Sequence, residues 1–238
     1  MNNKRPVVTP ERFAQGMTFD QYVVYIGTPD NLKREGSGGQ PRKDWSEFMR
    51  RAYEATRLND AQVAAIEWIA SQPDAPAKLL VISEEWSSDC RRDLPTLARL
   101  VEAATLEMRI FSRDGQRFSA SQRPDVEGDP DSNADLMAQF MNYKNGQYWQ
   151  SIPVAAFFTK TMEHLYTYIE YPAIYHKDRL LGHIRAPKPG ETGAQAQERS
   201  TREFFELQAS PFFKIWACAA VDEIITALHE RLVLGSLE

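Results

Sequence analysis

The sequence predicts an α/β fold with helical extensions at both ends, and three observations point to it. Lys78-Leu79-Leu80-Val81-Ile82-Ser83 is a short apolar strand that runs through a tight turn into a helix. Glu107 to Asp114 reads as a second strand, with Met108, Ile110 and Phe111 as its apolar side chains. Outside residues 77–185, apolar residues recur at helical spacing instead. The chain has 238 residues, whereas a small α/β unit needs on the order of 100. The sequence therefore divides into a helical extension over 1–76, an α/β domain over 77–185, and a second helical extension over 186–238. The last is expected to pack on the core or on a second subunit.

Composition narrows the class. Hydrophobic residues make up 42% of the chain and aromatic residues 11%, enough for a buried core. The 28 basic and 33 acidic residues give a net charge of -5 without a basic stripe, which argues against nucleic-acid binding. No apolar run reaches the ~20 residues of a membrane span. Met1-Asn2-Asn3-Lys4-Arg5-Pro6 lacks the apolar stretch of a signal peptide. The expectation is a soluble cytoplasmic protein. Two cysteines, Cys90 and Cys218, are too few for a disulfide framework and fit a reducing compartment.

In chain order, Phe19 to Ile26 begins a helix that ends near Gly27-Thr28-Pro29, and Glu35 to Pro41 is a loop by composition. Asp44 is placed to cap a helix carrying Trp45, Phe48, Met49 and Tyr53. Asn59-Asp60 starts another, with Val63, Ile66, Trp68 and Ile69 on its buried side, and Gln72 to Pro76 stops it. Ser112 to Asp131 has no apolar period and reads as a long connection. Asn133 to Phe140 predicts a capped amphipathic helix. Gln150 to Phe158 leads into a strand, and Leu165 to Glu170 alternates as one strand of an antiparallel pair. Tyr171 to His183 is a turn or a short helix, and Arg185 to Gly193 an exposed linker. Ala194 to Leu207 and Pro211 to Leu234 predict two helices. The second carries Phe212, Ile215, Trp216, Ala219, Ile224, Ile225, Leu228 and Leu232. Cys218 falls in that segment and is expected to be a buried packing thiol, the alternative being a resolving partner for Cys90. Leu237-Glu238 is compatible with a vector scar.

The stretch richest in chemical information is Glu84-Glu85-Trp86-Ser87-Ser88-Asp89-Cys90-Arg91-Arg92. A cysteine in the first turn of a helix sits at the positive end of its dipole, where thiolate is favoured. Ser87, one turn earlier, can hydrogen-bond the sulfur, Arg91 and Arg92 would favour thiolate, and Asp89 opposes it. Glu84 and Glu85 either stand in as proton acceptor for a buried acidic residue before the loop or are solvated loop charges.

Together with Ser151-Ile152-Pro153, this loop resembles the thioredoxin-like superfamily. It is closest to a bacterial subfamily with Glu-Asp-Trp-Cys-Gly-Asp-Cys loops and a Ser-Ile-Pro strand start. The resemblance spans roughly residues 78–170. It implies a thioredoxin fold, with a central mixed β-sheet flanked by helices and a cis-proline at Pro153 facing the active-site turn. It also implies substrate contacts at Trp86, Ser88, Asp89, Ile152 and Pro153, with the backbone of Ile152 open to an extended peptide or to glutathione. The chain departs from the pattern where it matters chemically. Ser87 stands where the attacking cysteine would be, leaving an SxxC loop. Val81 replaces the buried acidic residue of thioredoxin, although the closer subfamily also tends to be apolar there. Ser87-x-x-Cys90 further resembles the peroxiredoxin spacing, but the proline expected earlier in that motif is Ser83.

A serine hydroxyl is a poor nucleophile without an activating base, and His164, His176, His183 and His229 have no spacing that pairs one with Ser87. No cysteine or histidine spacing predicts a metal site, and no cofactor is expected. Two readings remain. In one, Cys90 with Ser87 forms a monothiol site that exchanges with protein thiols or disulfides, glutathione or peroxide. In the other, the fold is redox-inactive and serves as a binding scaffold, with a homodimer through the C-terminal helix as one possible assembly. A weaker third reading has Ser87 stabilise a glutathione thiolate, as in serine-type glutathione transferases.

Overall fold

A computed structural model describes residues 8–235, so the expectations placed on Met1 to Pro6 and on Leu237-Glu238 lie outside the described residues. The chain runs through α1 (Pro10–Ala14), α2 (Phe19–Tyr25), α3 (Pro29–Leu32), α4 (Ser46–Ala55) and α5 (Asp60–Ala70) before the first strand. There follow β1 (Lys78–Ser83), α6 (Ser88–Ala104), β2 (Glu107–Ser112), α7 (Ala134–Met137), β3 (Asn142–Lys144), β4 (Gln147–Trp149), β5 (Val154–Phe158) and β6 (His164–Ile169). Three helices close the chain: α8 (Lys177–Arg185), α9 (Gly193–Ala209) and α10 (Pro211–Leu234).

Four strands form one mixed sheet in the order β2-β1-β5-β6. β1 pairs β2 in parallel, in the register Ser83 to Ser112, with α6 as the crossover. β5 runs antiparallel to both β1 and β6. This is the mixed sheet with flanking helices that the resemblance implies. Strand β1 is buried on both faces, so period 2 sorts its side chains between two cores rather than between core and water. Leu79 and Val81 join the larger core with residues of α2, α5, α6 and α10. Leu80 and Ile82 face the opposite way, onto Phe13, Leu136, Met137 and Phe140.

Local signals explain most boundaries. Thr18, Asn59 and Thr192 each accept from the third backbone N–H of their helix in a capping box closed by glutamine. Asp44 is not the cap expected: Trp45 is the N-cap of α4 and makes no side-chain cap bond, while Asp44, one residue earlier, accepts from the Ser46 N–H at 2.8 Å. Helix α6 continues through Pro95, which forfeits one backbone bond but lies deep in the core.

Three further expectations are corrected. The helix expected over Asn133 to Phe140 is one turn, because the Asn133 side chain is used elsewhere: it donates to Ser112 O at 2.6 Å and accepts from Arg12 at 2.7 Å. Trp68 is 45% exposed, its ring against His229, because Ile66 and Ile69 already face the core. Cys218 is exposed, not buried. The buried stripe of α10 runs through Trp216, Ala220, Ile224 and Leu228, and Cys218 lies about 200° around the helix from Trp216. Among the described residues no helix is long and apolar enough to cross a membrane.

Packing of α10 onto α5, α6 and β6 supplies much of the larger core. Ile224→Ala should therefore lower the unfolding free energy by ~2–5 kcal/mol in urea titrations. Phe212→Ala, on the same helix but 58% exposed, should stay within about 0.5 kcal/mol of the parent.

Candidate functional site

The site begins with strand register. Because Ser83 pairs with Ser112 in a parallel ladder, Glu84-Glu85 and Arg113-Asp114 leave the sheet side by side at the carboxyl ends of β1 and β2. The Gly-rich loop after α3 brings Arg34 and Arg42 to the same place. Glu84 and Glu85 are thus fully buried rather than solvated, and their partners are buried with them. The Arg42 Nη1 lies 2.5 Å from Glu84 Oε2 and 2.8 Å from Glu85 Oε1. Arg34 Nη2 reaches Glu84 Oε1 at 3.1 Å, and Arg113 Nε reaches Asp114 Oδ1 at 2.8 Å. The Asp114 N–H donates to Glu84 Oε1 at 2.7 Å, tying the two strand ends directly. Three guanidiniums therefore face three carboxylates in a water-poor cluster. Burial, with Glu84 alongside, lifts the Glu85 carboxyl above its usual range even against Arg42.

This cluster fixes the turn that carries the expected site. Trp86 is half-buried: its Nε1 donates to Asp114 Oδ2 at 3.2 Å, and its ring packs edge-on against Phe118 at 5.3 Å. Ser87 caps α6, its Oγ accepting from the Cys90 N–H at 3.4 Å. Ser88, half-buried, is the first residue of the helix. Cys90 is 0% exposed and packs with Leu80, Ile82 and Ile152.

The Ser83 and Ser87 hydroxyls and the Glu84 backbone N–H all bond toward the Cys90 sulfur, which favours thiolate. Burial outweighs them and pushes the thiol up to about 12. The arginines expected to activate Cys90 make no hydrogen bond to its sulfur, although Arg91 and Cys90 interact through space. Arg91 donates to Glu85 O at 2.7 Å, and Arg92 is held by Asp89 and Asp93, each at 2.7 Å.

A second ion network closes the other flank. Asp89, 3% exposed, is bound by Arg92 and also by Lys177 Nζ at 2.5 Å. Lys177 bridges on to Glu170 at 2.8 Å, and Lys144 holds Glu170 at 2.9 Å. Burial alone would raise the Glu170 carboxyl, but these two lysines keep it below its usual range. Asp93 takes a further bond from the Tyr168 hydroxyl at 2.8 Å.

The Ile152-Pro153 peptide is cis, as the resemblance implies. The structure brings Ile152 into one apolar cluster with Cys90, and Trp86 packs against that cluster. Ile152 is 5% exposed, Pro153 is buried, and Pro153 O accepts from the Glu170 N–H at 2.8 Å. Among the described residues no group of three metal-ligating side chains converges.

Sequence reasoning located Trp86, Ser87, Cys90 and Pro153 but missed the ion cluster around them. The available signal was the placement of charged pairs, Glu84-Glu85 and Arg113-Asp114, immediately after two parallel strands.

Removing Arg42 leaves two buried carboxylates without their shared counter-charge. Arg42→Met should cost about 3–5 kcal/mol in urea-measured stability. Arg50→Met, at an exposed pair with Glu47 3.8 Å apart, should change stability by no more than about 0.5 kcal/mol.

Comparison with known proteins agrees with the fold. A thioredoxin family model matches residues 40–129, which include β1, the Glu84–Cys90 turn, α6 and β2. None of the curated proteins matches this sequence. A crystal structure of a Pseudomonas aeruginosa protein of unknown function superimposes with a TM-score of 0.52 at 15% identity, covering 94% of this chain and 98% of that one. An HIV epitope scaffold superimposes over the same shares of each chain, at 15% identity and a TM-score of 0.48. The mixed four-stranded sheet and the family match over residues 40–129 together show a thioredoxin-like fold.

Proposed function

We propose that this chain is a thioredoxin-fold binding protein whose remaining thiol is chemically silent. The observation that carries the reading is the state of Cys90: fully buried, with burial holding its thiol up to about 12. The outer position of the loop is Ser87, so no second sulfur stands three residues away to form or resolve a mixed disulfide. The clasp of Lys177 on Asp89 and the burial of Ile152 and Pro153 support the same reading, since both block the approach of an extended substrate. On this reading residues 77–185 are the scaffold, and the extensions over 1–76 and 186–238 carry the recognition surfaces. Helix α10 exposes Phe212 and Ile215, which supports a self-association face there. The two unpaired cysteines support a reducing, cytoplasmic setting.

One observation favours the redox reading. Three hydrogen-bond donors converge on the Cys90 sulfur, and they would stabilise a thiolate if the loop opened to a protein disulfide or to glutathione.

Alkylation separates the two. In a Cys218→Ser background at pH 8, iodoacetamide should label native Cys90 at least about a hundredfold more slowly than the urea-unfolded chain, because the thiolate fraction and access both fall. Labelling as fast as in the unfolded chain would overturn the silent-thiol reading. Linkage gives a second handle. The folded chain holds the Cys90 proton more tightly than the unfolded chain, whose thiol titrates at ~8.5. The resulting stability is fully present below that pH and is lost as pH rises toward about 12. Cys90→Ala should flatten that alkaline decline.

A further inference from the structure

Away from the Cys90 loop, α4, α5, α6 and the α9–α10 junction enclose a groove of about 710 Å³, within the size range of small-molecule sites. Phe48, Leu58, Phe213, Ala217 and Val221 give it an apolar lining. Its charged lining is one-sided: Arg51, Arg57, Arg91, Arg92 and Lys214 against Glu47 alone. Arg51 is neutralised by Glu47 at 2.7 Å, and Arg92 by Asp89 and Asp93. Arg57, Arg91 and Lys214 have no carboxylate within 4.0 Å among the described residues, although the chain as a whole carries a net charge of -5.

Arg91 is the informative member. It is 6% exposed, yet its direct contacts are neutral, Glu85 O at 2.7 Å, Gln208 Oε1 at 3.1 Å and the Trp45 ring at 3.9 Å, and the Glu85 and Asp89 carboxylates act on it only through space. A buried guanidinium without an adjacent counter-charge is unfavourable, and burial draws its pKa down to about 10. An anion seated in the groove would relieve that penalty. The planar fork of a guanidinium matches a carboxylate, and the apolar lining calls for a hydrocarbon body.

We propose that this groove binds a small amphipathic carboxylate, its head group at Arg91 and its apolar chain between α4 and α10. The site does not depend on the chemistry of Cys90, so it stands whether or not that thiol is silent.

Calorimetric titration of the full chain with decanoate tests it, with decanol as the uncharged comparator at matched ionic strength. The expected result is one decanoate per chain, weakened about tenfold or more by Arg91→Gln and by exchange of the carboxylate for the alcohol. Ala217→Trp should abolish binding by filling the groove, and it reports independently if Arg91→Gln fails to fold. Saturating decanoate should also slow alkylation of Cys218, an exposed thiol in the groove lining. Absence of saturable decanoate binding would overturn the proposal. So would equal affinity for decanol, binding that survives Ala217→Trp, or Cys218 alkylation that decanoate leaves unchanged.

Discussion

Six buried charges at the carboxyl ends of two parallel strands hold the centre of this molecule. Arg34, Arg42 and Arg113 face Glu84, Glu85 and Asp114, each pair linked through a neighbour, and no member is free to move alone. Such a cluster is a weak source of net stability, since desolvation of each ion offsets much of the attraction. Its force lies in what it forbids. Displacing any one charge strands another in a medium that cannot solvate it. The turn between β1 and α6 therefore has one arrangement, and Trp86, Ser87 and Cys90 are positioned by it.

That rigidity decides the chemistry. A helix N-terminus and three hydrogen-bond donors all favour a thiolate at Cys90, yet the sulfur is fully buried between the sheet and Ile152. Desolvation of the charged form is the larger effect. The second network, from Asp89 through Lys177 to Glu170 and Lys144, draws the segment that leads into α8 across the loop. On the proposed reading, the fold is closed over a single buried thiol. The groove proposed to take a ligand lies on the helical side, lined by Arg91 together with residues of α4 and α10.

Much of this was legible in the sequence. The strand–turn–helix at Lys78 to Leu94, the position of Pro153 and the helices after residue 193 follow from period, cap and turn chemistry, which act over a few residues. What escaped was set by contacts distant in sequence. Nothing near Glu84 announces Arg42, and nothing near Asp89 announces Lys177, so Glu84 read as a loop charge and Asp89 as a substrate contact. Cys218 was misplaced for a related reason: α10 is apolar nearly all round, and only its docking on α5 and α6 selects the face that becomes buried. The one-turn α7 fell short because Asn133 had two distant partners to satisfy.

The most direct test of a locked, closed loop is native-state hydrogen exchange of the amides from Glu84 to Arg91. If the ion clusters hold the turn as described, the amides of Ser87, Cys90 and Arg91, bonded to Glu84 O, Ser87 Oγ and Ser87 O, should exchange only through global unfolding. Their opening free energy and denaturant dependence would then match those of the β1 core amides. Exchange through a denaturant-independent opening several kcal/mol below the global value would contradict it. The turn would then be a mobile gate over Cys90, and burial would not be what silences the thiol.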